Sequence, residues 1–206
     1  MCRPEGPAVT APLSVARSEL VLGGQKSGKS RRAELLAAAW LAASPQHRGV
    51  MLATATPWDD EMRTRIARHR QDRAERLPGM QTVEEPLHLA EALAAHSRPD
   101  TLVVVDCLTL WLTNLLMPAA AESIEPNMPP AVDLSRLVAM LLVAIEQAPG
   151  PVVLVSNEIG LGVVPLGREV RRFVDSLGLL NQGVAATCAR VTLVAAGLPL
   201  TLKDTP

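Results

Sequence analysis

The sequence predicts an α/β chain in which a mostly parallel sheet is covered by helices on both faces and ends in an antiparallel edge hairpin. Three observations lead there. Short, nearly all-apolar runs recur at 19–23, 49–54, 101–106, 152–156 and 191–195, as expected of strands buried on both faces. Stretches of helical periodicity separate them, near 30–43, 59–76, 86–96, 107–117, 133–147 and 167–188, and strands that alternate with helices build parallel sheets through right-handed crossovers. The last two runs, 191–195 and 198–202, flank Gly197 at the spacing of a hairpin, which places an antiparallel strand at one edge.

Composition narrows the function. At 206 residues and 48% hydrophobic content the chain is long enough for one domain with a full core. A formal net charge of −1 points neither to nucleic acid nor to an anionic membrane surface. No apolar run approaches the about 18 residues a membrane span needs. Pro4, Glu5 and Pro7 interrupt the N-terminus where a secretory signal would be continuously apolar, so a soluble, cytoplasmic protein is expected. Cys2, Cys107 and Cys188 are far apart and not at metal-ligand spacing, which suits a reducing compartment and non-catalytic thiols. Residues 1–17, rich in Pro and Ala, read as a disordered extension, and 18–206 as a single nucleotide-binding catalytic domain.

Ligands bind at the carboxyl ends of strands in such a sheet. The first run ends in Gly23-Gly24-Gln25-Lys26-Ser27-Gly28-Lys29-Ser30 and opens into Glu34, Leu35, Leu36, Ala37, Trp40 and Leu41; strand, G-x-x-x-x-G-K-S and helix follow in the order a P-loop requires. Gly23, Gly24 and Gly28 let the chain fold back so that successive N–H groups point at phosphate oxygens, and the helix start adds partial positive charge. Lys29 is expected over the β- and γ-phosphates and the Ser30 hydroxyl on Mg²⁺. The run 101–106 closes on Asp106, the carboxylate that complements Ser30 at Mg²⁺; an N-cap for the segment from Cys107 is the plainer alternative. A P-loop NTPase-type three-layer fold follows.

The other strand ends carry less decisive signals. After 49–54 comes a segment with an acidic start at Asp59 and an arginine-rich end, charges that oppose a helix macrodipole. Met62, Ile66, His69 and Arg73 share one face of it. Six arginines between Arg63 and Arg76 raise His69 above an ordinary surface histidine, because guanidinium groups suit phosphate oxygens. Leu108, Trp111, Leu112, Leu115 and Leu116 read as core, and 117–132, with four prolines, as a surface loop. The run 152–156 leads into Asn157-Glu158-Ile159-Gly160-Leu161-Gly162, where Glu158 is a candidate base or metal-shell group, with a structural loop carboxylate the equal alternative. Arg168, Arg171 and Arg172 are expected to be mostly solvated, with one reaching phosphate as an option, and Asn181-Gln182 are candidate polar contacts to a neighbour.

Together the motifs resemble the bifunctional adenosylcobinamide kinase/adenosylcobinamide-phosphate guanylyltransferase family of cobalamin biosynthesis. The resemblance rests on residues 23–30, Ala53-Thr54-Ala55, Asp59-Asp60-Glu61-Met62 with Arg65-Ile66-Ala67-Arg68-His69-Arg70, Thr82-Val83-Glu84-Glu85-Pro86, the stretch from Val105 to Leu116 and that from Ser156 to Pro165. It spans about residues 19 to 203. It implies adenosylcobinamide and its phosphate as substrates, ATP and GTP as nucleotides, covalent attachment of GMP to His69, and a homotrimer. It further implies nucleotide contacts from the P-loop, from Thr54, Ala55 and Thr56, from Arg73, Ala74, Glu75 and Arg76, and from Glu84 and Asp106. Between Arg73 and Thr82 the chain departs from the family pattern in length and in lacking a tryptophan, and Leu166-Gly167 and Gly183 replace more polar residues. Two rival readings remain at this level: a P-loop small-molecule kinase without guanylyl transfer, and an NTP-binding switch module. Against the latter, the chain has no N-K-x-D guanine motif.

Overall fold

The computed structural model of the chain describes residues 13–57, 63–64, 75–117, 133–163 and 165–205. Among these, seven strands form one sheet: β1 (Ser18–Gly23), β2 (Arg48–Ala53), β3 (Met80–Glu84), β4 (Thr101–Asp106), β5 (Val152–Asn157), β6 (Arg190–Ala195) and β7 (Leu198–Asp204). Their order is β3-β2-β4-β5-β1-β6-β7. All neighbours run parallel except β6 and β7, as the alternation of strand and helix and the terminal hairpin predict. The described helices are α1 (Lys29–Ala43), α2 (Leu89–His96), α3 (Leu108–Leu116), α4 (Leu134–Gln147) and α5 (Arg168–Thr187).

Strand alternation divides the core in two. Val21, Met51, Val104, Val153 and Val155 point to the face where α1 lays Ala33, Leu36 and Ala37. Leu20, Leu22, Leu52, Val103, Val105 and Leu154 point to the opposite face, against Leu93, Trp111, Leu112, Leu141, Ile145, Leu177 and Leu180. Fully buried, wholly apolar strand centres are the reason the sheet is legible as apolar runs.

β3 is the strand the sequence hides. Met80-Gln81-Thr82-Val83-Glu84 has no residue fully buried and pairs only with β2, from Gly49↔Met80 to Ala53↔Glu84. An edge strand held by main-chain bonds needs no apolar run, so hydropathy leaves no trace of it. Residues 13–17, expected to belong to a disordered extension, are instead attached. Leu13 and Val15 pack on the α1-side core, Ser14 O accepts from Arg190 Nη1 at 2.8 Å, and Arg17 O accepts from Val152 N at 3.0 Å. Residues 1–12, with Cys2, lie outside the described residues, as does the loop 118–132. Of the helix expected over 59–76, residues 63–64 and 75–76 are described and helical; the rest, including His69, Arg73 and Ala74, is outside them.

One buried charge ties the first strand to its surroundings. Glu19 on β1 is fully buried. Its carboxylate accepts from Thr192 Oγ1 at 2.8 Å and from Arg32 Nη2 at 3.3 Å, and faces Arg190 Nη1 at 3.7 Å. Arg190 in turn chelates Asp204 of β7 through Nε and Nη2, at 3.0 and 3.2 Å. β1, α1 and β6 thus meet on one carboxylate, and β7 joins through Arg190. Removing one member of a buried ion group strands the others' charge. Glu19→Ala is therefore expected to cost about 3–5 kcal/mol, read as a lower urea midpoint with an unchanged m-value. A midpoint equal to wild type would show that the group does not hold the sheet.

Candidate active site

The turn from β1 into α1 is built as an anion cradle. Lys26 and Gly28 adopt left-handed backbone, φ 56° and 103°, which reverses the chain within a few residues. Ser27 N donates to Gly24 O at 3.2 Å to close the turn, and Arg32 N donates to Gly28 O at 2.9 Å to begin the helix. The N-cap residue of α1, Gly28, has no side chain to cap it, and the first turn carries no acidic residue. A helix N-terminus left without a capping oxygen, behind a left-handed turn, presents N–H groups and partial positive charge to an anion. Lys29 Nζ reaches back over the loop to Gly24 O at 3.0 Å. Gln25 and Lys26 are exposed at the tip, while Ser27 is buried and its Oγ has no hydrogen-bond partner among the described residues. Ser30 lies in the first turn of α1, half-buried.

The opposing carboxylate arrives from β4. Asp106 ends that strand, and β5 lies between it and β1. Burial pushes the neighbouring Cys107 thiol up to about 11; the Asp106 charge adds to the rise and the Lys29 charge opposes it. The cradle lysine and the β4 carboxylate thus both act on this thiol, with opposite sign. Burial likewise raises the Cys188 thiol, to about 12. Both described cysteines are neutral, buried thiols, in keeping with a non-catalytic role.

Thr54 is anchored from several sides. The residue is fully buried and every polar group it has is occupied. Its N–H donates to Asp106 O at 3.2 Å, and its hydroxyl donates to Cys107 O at 2.7 Å and accepts from Cys107 N at 2.9 Å. Its carbonyl accepts from Asn114 Nδ2 at 2.7 Å. Thr54 fastens β2 to the end of β4; Ala55 and Thr56 follow it, half-buried. Asn114 also donates to Pro86 O at 3.2 Å, clamping the loop after β3, where Glu84 ends the strand. Arg76 pairs with Glu34 of α1 at 3.1 Å, which brings the end of the 59–76 segment onto the helix that carries the cradle; Glu75 stands beside it, exposed.

Glu158 follows β5 directly. Its N–H donates to Gly23 O at 3.1 Å, and its Oε1 accepts from Gly160 N at 2.8 Å, so the carboxylate is fixed beside the cradle by its own loop. Arg171 donates to Pro165 O at 2.8 Å. Arg171, Asp175, Gln182, Ile159 and Val163 border an open cleft of about 540 Å³. Asn181 is an inward group rather than a surface contact. It is buried, accepts from Ser156 Oγ at 2.7 Å and donates to Asn157 O at 3.0 Å. Sequence reasoning also passed over Asn157 and Thr109, whose Oγ1 accepts from Asn157 N at 2.9 Å and from Asn157 Nδ2 at 3.1 Å.

Gly23 is the position least able to change. A Cβ there would stand 2.3 Å from Ser27 Oγ and 2.6 Å from Val194 O; the serine can rotate, the backbone carbonyl cannot. Gly23→Ala is expected to push the cradle off β6 and weaken nucleotide binding by on the order of 10²-fold, about the effect of losing one or two charge-assisted bonds, measured by titration calorimetry with ADP. Wild-type affinity would mean that the cradle is not built by this close approach.

Comparison with known proteins agrees with this geometry. The family model for cobinamide kinase / cobinamide phosphate guanyltransferase matches residues 19–202. The chain is 47% identical over 189 residues to the bifunctional adenosylcobalamin biosynthesis protein CobP of Pseudomonas aeruginosa, covering 91% of this chain and 98% of that protein. It is 37% identical over 190 residues to the bifunctional adenosylcobalamin biosynthesis protein CobU of Escherichia coli K12, covering 89% and 98%. A protein of solved structure from Pyrococcus horikoshii OT3 shares the fold, with a TM-score of 0.52 at 13% identity over 95% of this chain and 90% of that one. With nearly the whole described sheet and the cradle inside the matched span, the chain belongs to the cobinamide kinase / cobinamide phosphate guanyltransferase family.

Proposed function

We propose that the chain performs both reactions of its family from one nucleotide cradle. It phosphorylates adenosylcobinamide with ATP or GTP, then transfers GMP from GTP to adenosylcobinamide phosphate to give adenosylcobinamide-GDP. The observation that carries this reading is the uncapped, left-handed turn at Gly28 with Lys29 arched over it, set against Asp106. The protein oxygens offered there are a hydroxyl, Ser30, and a carboxylate, Asp106. Such a small set of hard donors suits Mg²⁺, whose shell is usually completed by phosphate oxygens and water. Bound there, Mg²⁺ would neutralise charge on the β- and γ-phosphates.

In the kinase step the residues of the cradle position the triphosphate. Main-chain N–H groups of residues 24–30 and the Lys29 ammonium meet the charge that develops on the γ-phosphoryl oxygens. Glu158, held by Gly160 N–H at the end of β5, orients the aminopropanol hydroxyl of the acceptor and takes its proton. In the transfer step the imidazole of His69, which lies outside the described residues, bonds to the α-phosphorus as the bond to the pyrophosphate oxygen breaks. A phosphate oxygen of adenosylcobinamide phosphate then displaces the histidine. The arginines of 63–76 disfavour imidazolium by like-charge repulsion and keep His69 nucleophilic. Thr54, Ala55, Thr56, Arg73, Ala74, Glu75, Arg76 and Glu84 supply the remaining nucleotide contacts in this reading.

Association fits as well. Leu198, Leu200 and Leu202 are 72%, 59% and 56% exposed on the edge strand β7, and a contiguous apolar stripe of this kind supports a self-associating surface; a homotrimer in the cytoplasm is the assembly proposed. The reading is tested with GTP labelled on its α-phosphate. Wild type with Mg²⁺ is expected to retain an acid-labile GMP adduct after denaturation, and His69→Ala to retain none. A wild-type protein that binds GTP and phosphorylates adenosylcobinamide but carries no adduct would reduce the chain to a kinase.

A further inference from the structure

The sheet order brings a second residue of one strand end to the reaction, next to Glu158. β5 lies between β1, which delivers the cradle, and β4, which delivers Asp106. Register places its last residue, Asn157, directly beside Gly23, while Asp106 pairs with Val155. Asn157 therefore sits one strand spacing, about 4.8 Å, from each neighbour strand and about two residues further out than Asp106. The facing also follows from alternation. Val153 and Val155 pack on the α1 side, as do Leu102 and Val104, so Asn157 and Asp106 both turn to the side from which the cradle enters α1. A triphosphate running from the cradle towards Asp106 must cross the end of β5.

Asn157 is also held still. Its main-chain N–H and its side-chain Nδ2 both donate to Thr109 Oγ1, at 2.9 and 3.1 Å, and its carbonyl accepts from Nδ2 of Asn181, whose Oδ1 in turn accepts from Ser156 Oγ. Thr109 stands in the first turn of α3 and Asn181 on α5, so two helices brace one half-buried amide. Nδ2 carries a second hydrogen that no other described residue takes.

We propose that Asn157 contacts the γ-phosphate, with Thr109 as the residue that positions it. The inference rests on the kinase half of the functional reading. In that step the acceptor oxygen bonds to the γ-phosphorus, the bond to the β,γ-bridging oxygen breaks, and the nucleoside diphosphate leaves with that electron pair. The hydroxyl proton passes to Glu158. The second Nδ2 hydrogen of Asn157 donates to an equatorial oxygen of the phosphoryl group in flight, a preorganised donor of the kind that acts mainly on kcat.

Asn157→Ala is expected to lower kcat for phosphorylation of adenosylcobinamide on the order of 10²-fold and to leave ADP affinity and the thermal midpoint unchanged. It is also expected to reduce the preference for the β,γ-imido analogue of ATP over ADP by about tenfold. Thr109→Val, which keeps the amide and removes its brace, moves kcat in the same direction by a smaller factor. Unchanged kcat in Asn157→Ala, or a parallel fall of kcat, ADP affinity and thermal midpoint, would overturn the proposal. Wild-type protein that shows the analogue preference, lost in Asn157→Ala, but no phosphorylation would contradict the functional reading and leave the contact standing.

Discussion

The site depends on how closely the cradle is pressed against the β6–β7 hairpin. Ala196 and Gly197 both take positive φ, 50° and 80°, the two-residue turn that matches strand twist. That turn is not merely an edge decoration. Gly197 N donates to Ser27 O at 2.8 Å, and a Cβ on Gly28 would come within 3.2 Å of Gly197 Cα. The hairpin is the back wall on which the phosphate loop is moulded, so an element at the far end of the sequence shapes a motif near its start. Glu19 on β1 pairs with Arg32 on α1 and faces Arg190 on β6, and Arg190 holds Asp204 on β7, which ties the elements carrying this contact.

Polar packing behind the strand ends performs a related task on the other side of the site. Thr54, Cys107 and Asn114 join β2, β4 and the loop after β3; Thr109, Asn157, Asn181 and Ser156 join α3, β5 and α5. These side chains are largely buried and mutually bonded, which makes each costly to lose. Their common effect is to fix strand ends at a face where reacting groups must be held to fractions of an ångström. The separation between the β1 cradle and the β4 carboxylate is set by sheet geometry, with one intervening strand, and the bonded groups keep that geometry from relaxing.

Much of this was legible in the sequence, for a physical reason in each case. Strands buried on both faces must be apolar, so β1, β2, β4, β5 and β6 announce themselves. The cradle is legible because phosphate binding needs glycine where φ is positive and lysine and serine at fixed offsets from it. β3 was hidden because an exposed edge strand owes its structure to main-chain pairing. The structural part of Thr54 was hidden because its partner Cys107 is 53 residues away, and only the fold shows that Cys107 shares its hydroxyl. Asn157 and Thr109 could be found only from register: they are 48 residues apart, and nothing in the spacing relates them. His69 lies outside the described residues and is read from the sequence.

The central claim is that one cradle serves both phosphoryl and guanylyl transfer. It is tested most directly by competition. The β,γ-imido analogue of ATP is titrated against kinase turnover and, separately, against formation of the GMP adduct from labelled GTP, and its dissociation constant is measured by calorimetry. A shared cradle predicts the same inhibition constant in both assays, equal to the dissociation constant. Adduct formation that persists at full rate while the kinase is fully inhibited would show two nucleotide sites and contradict the account.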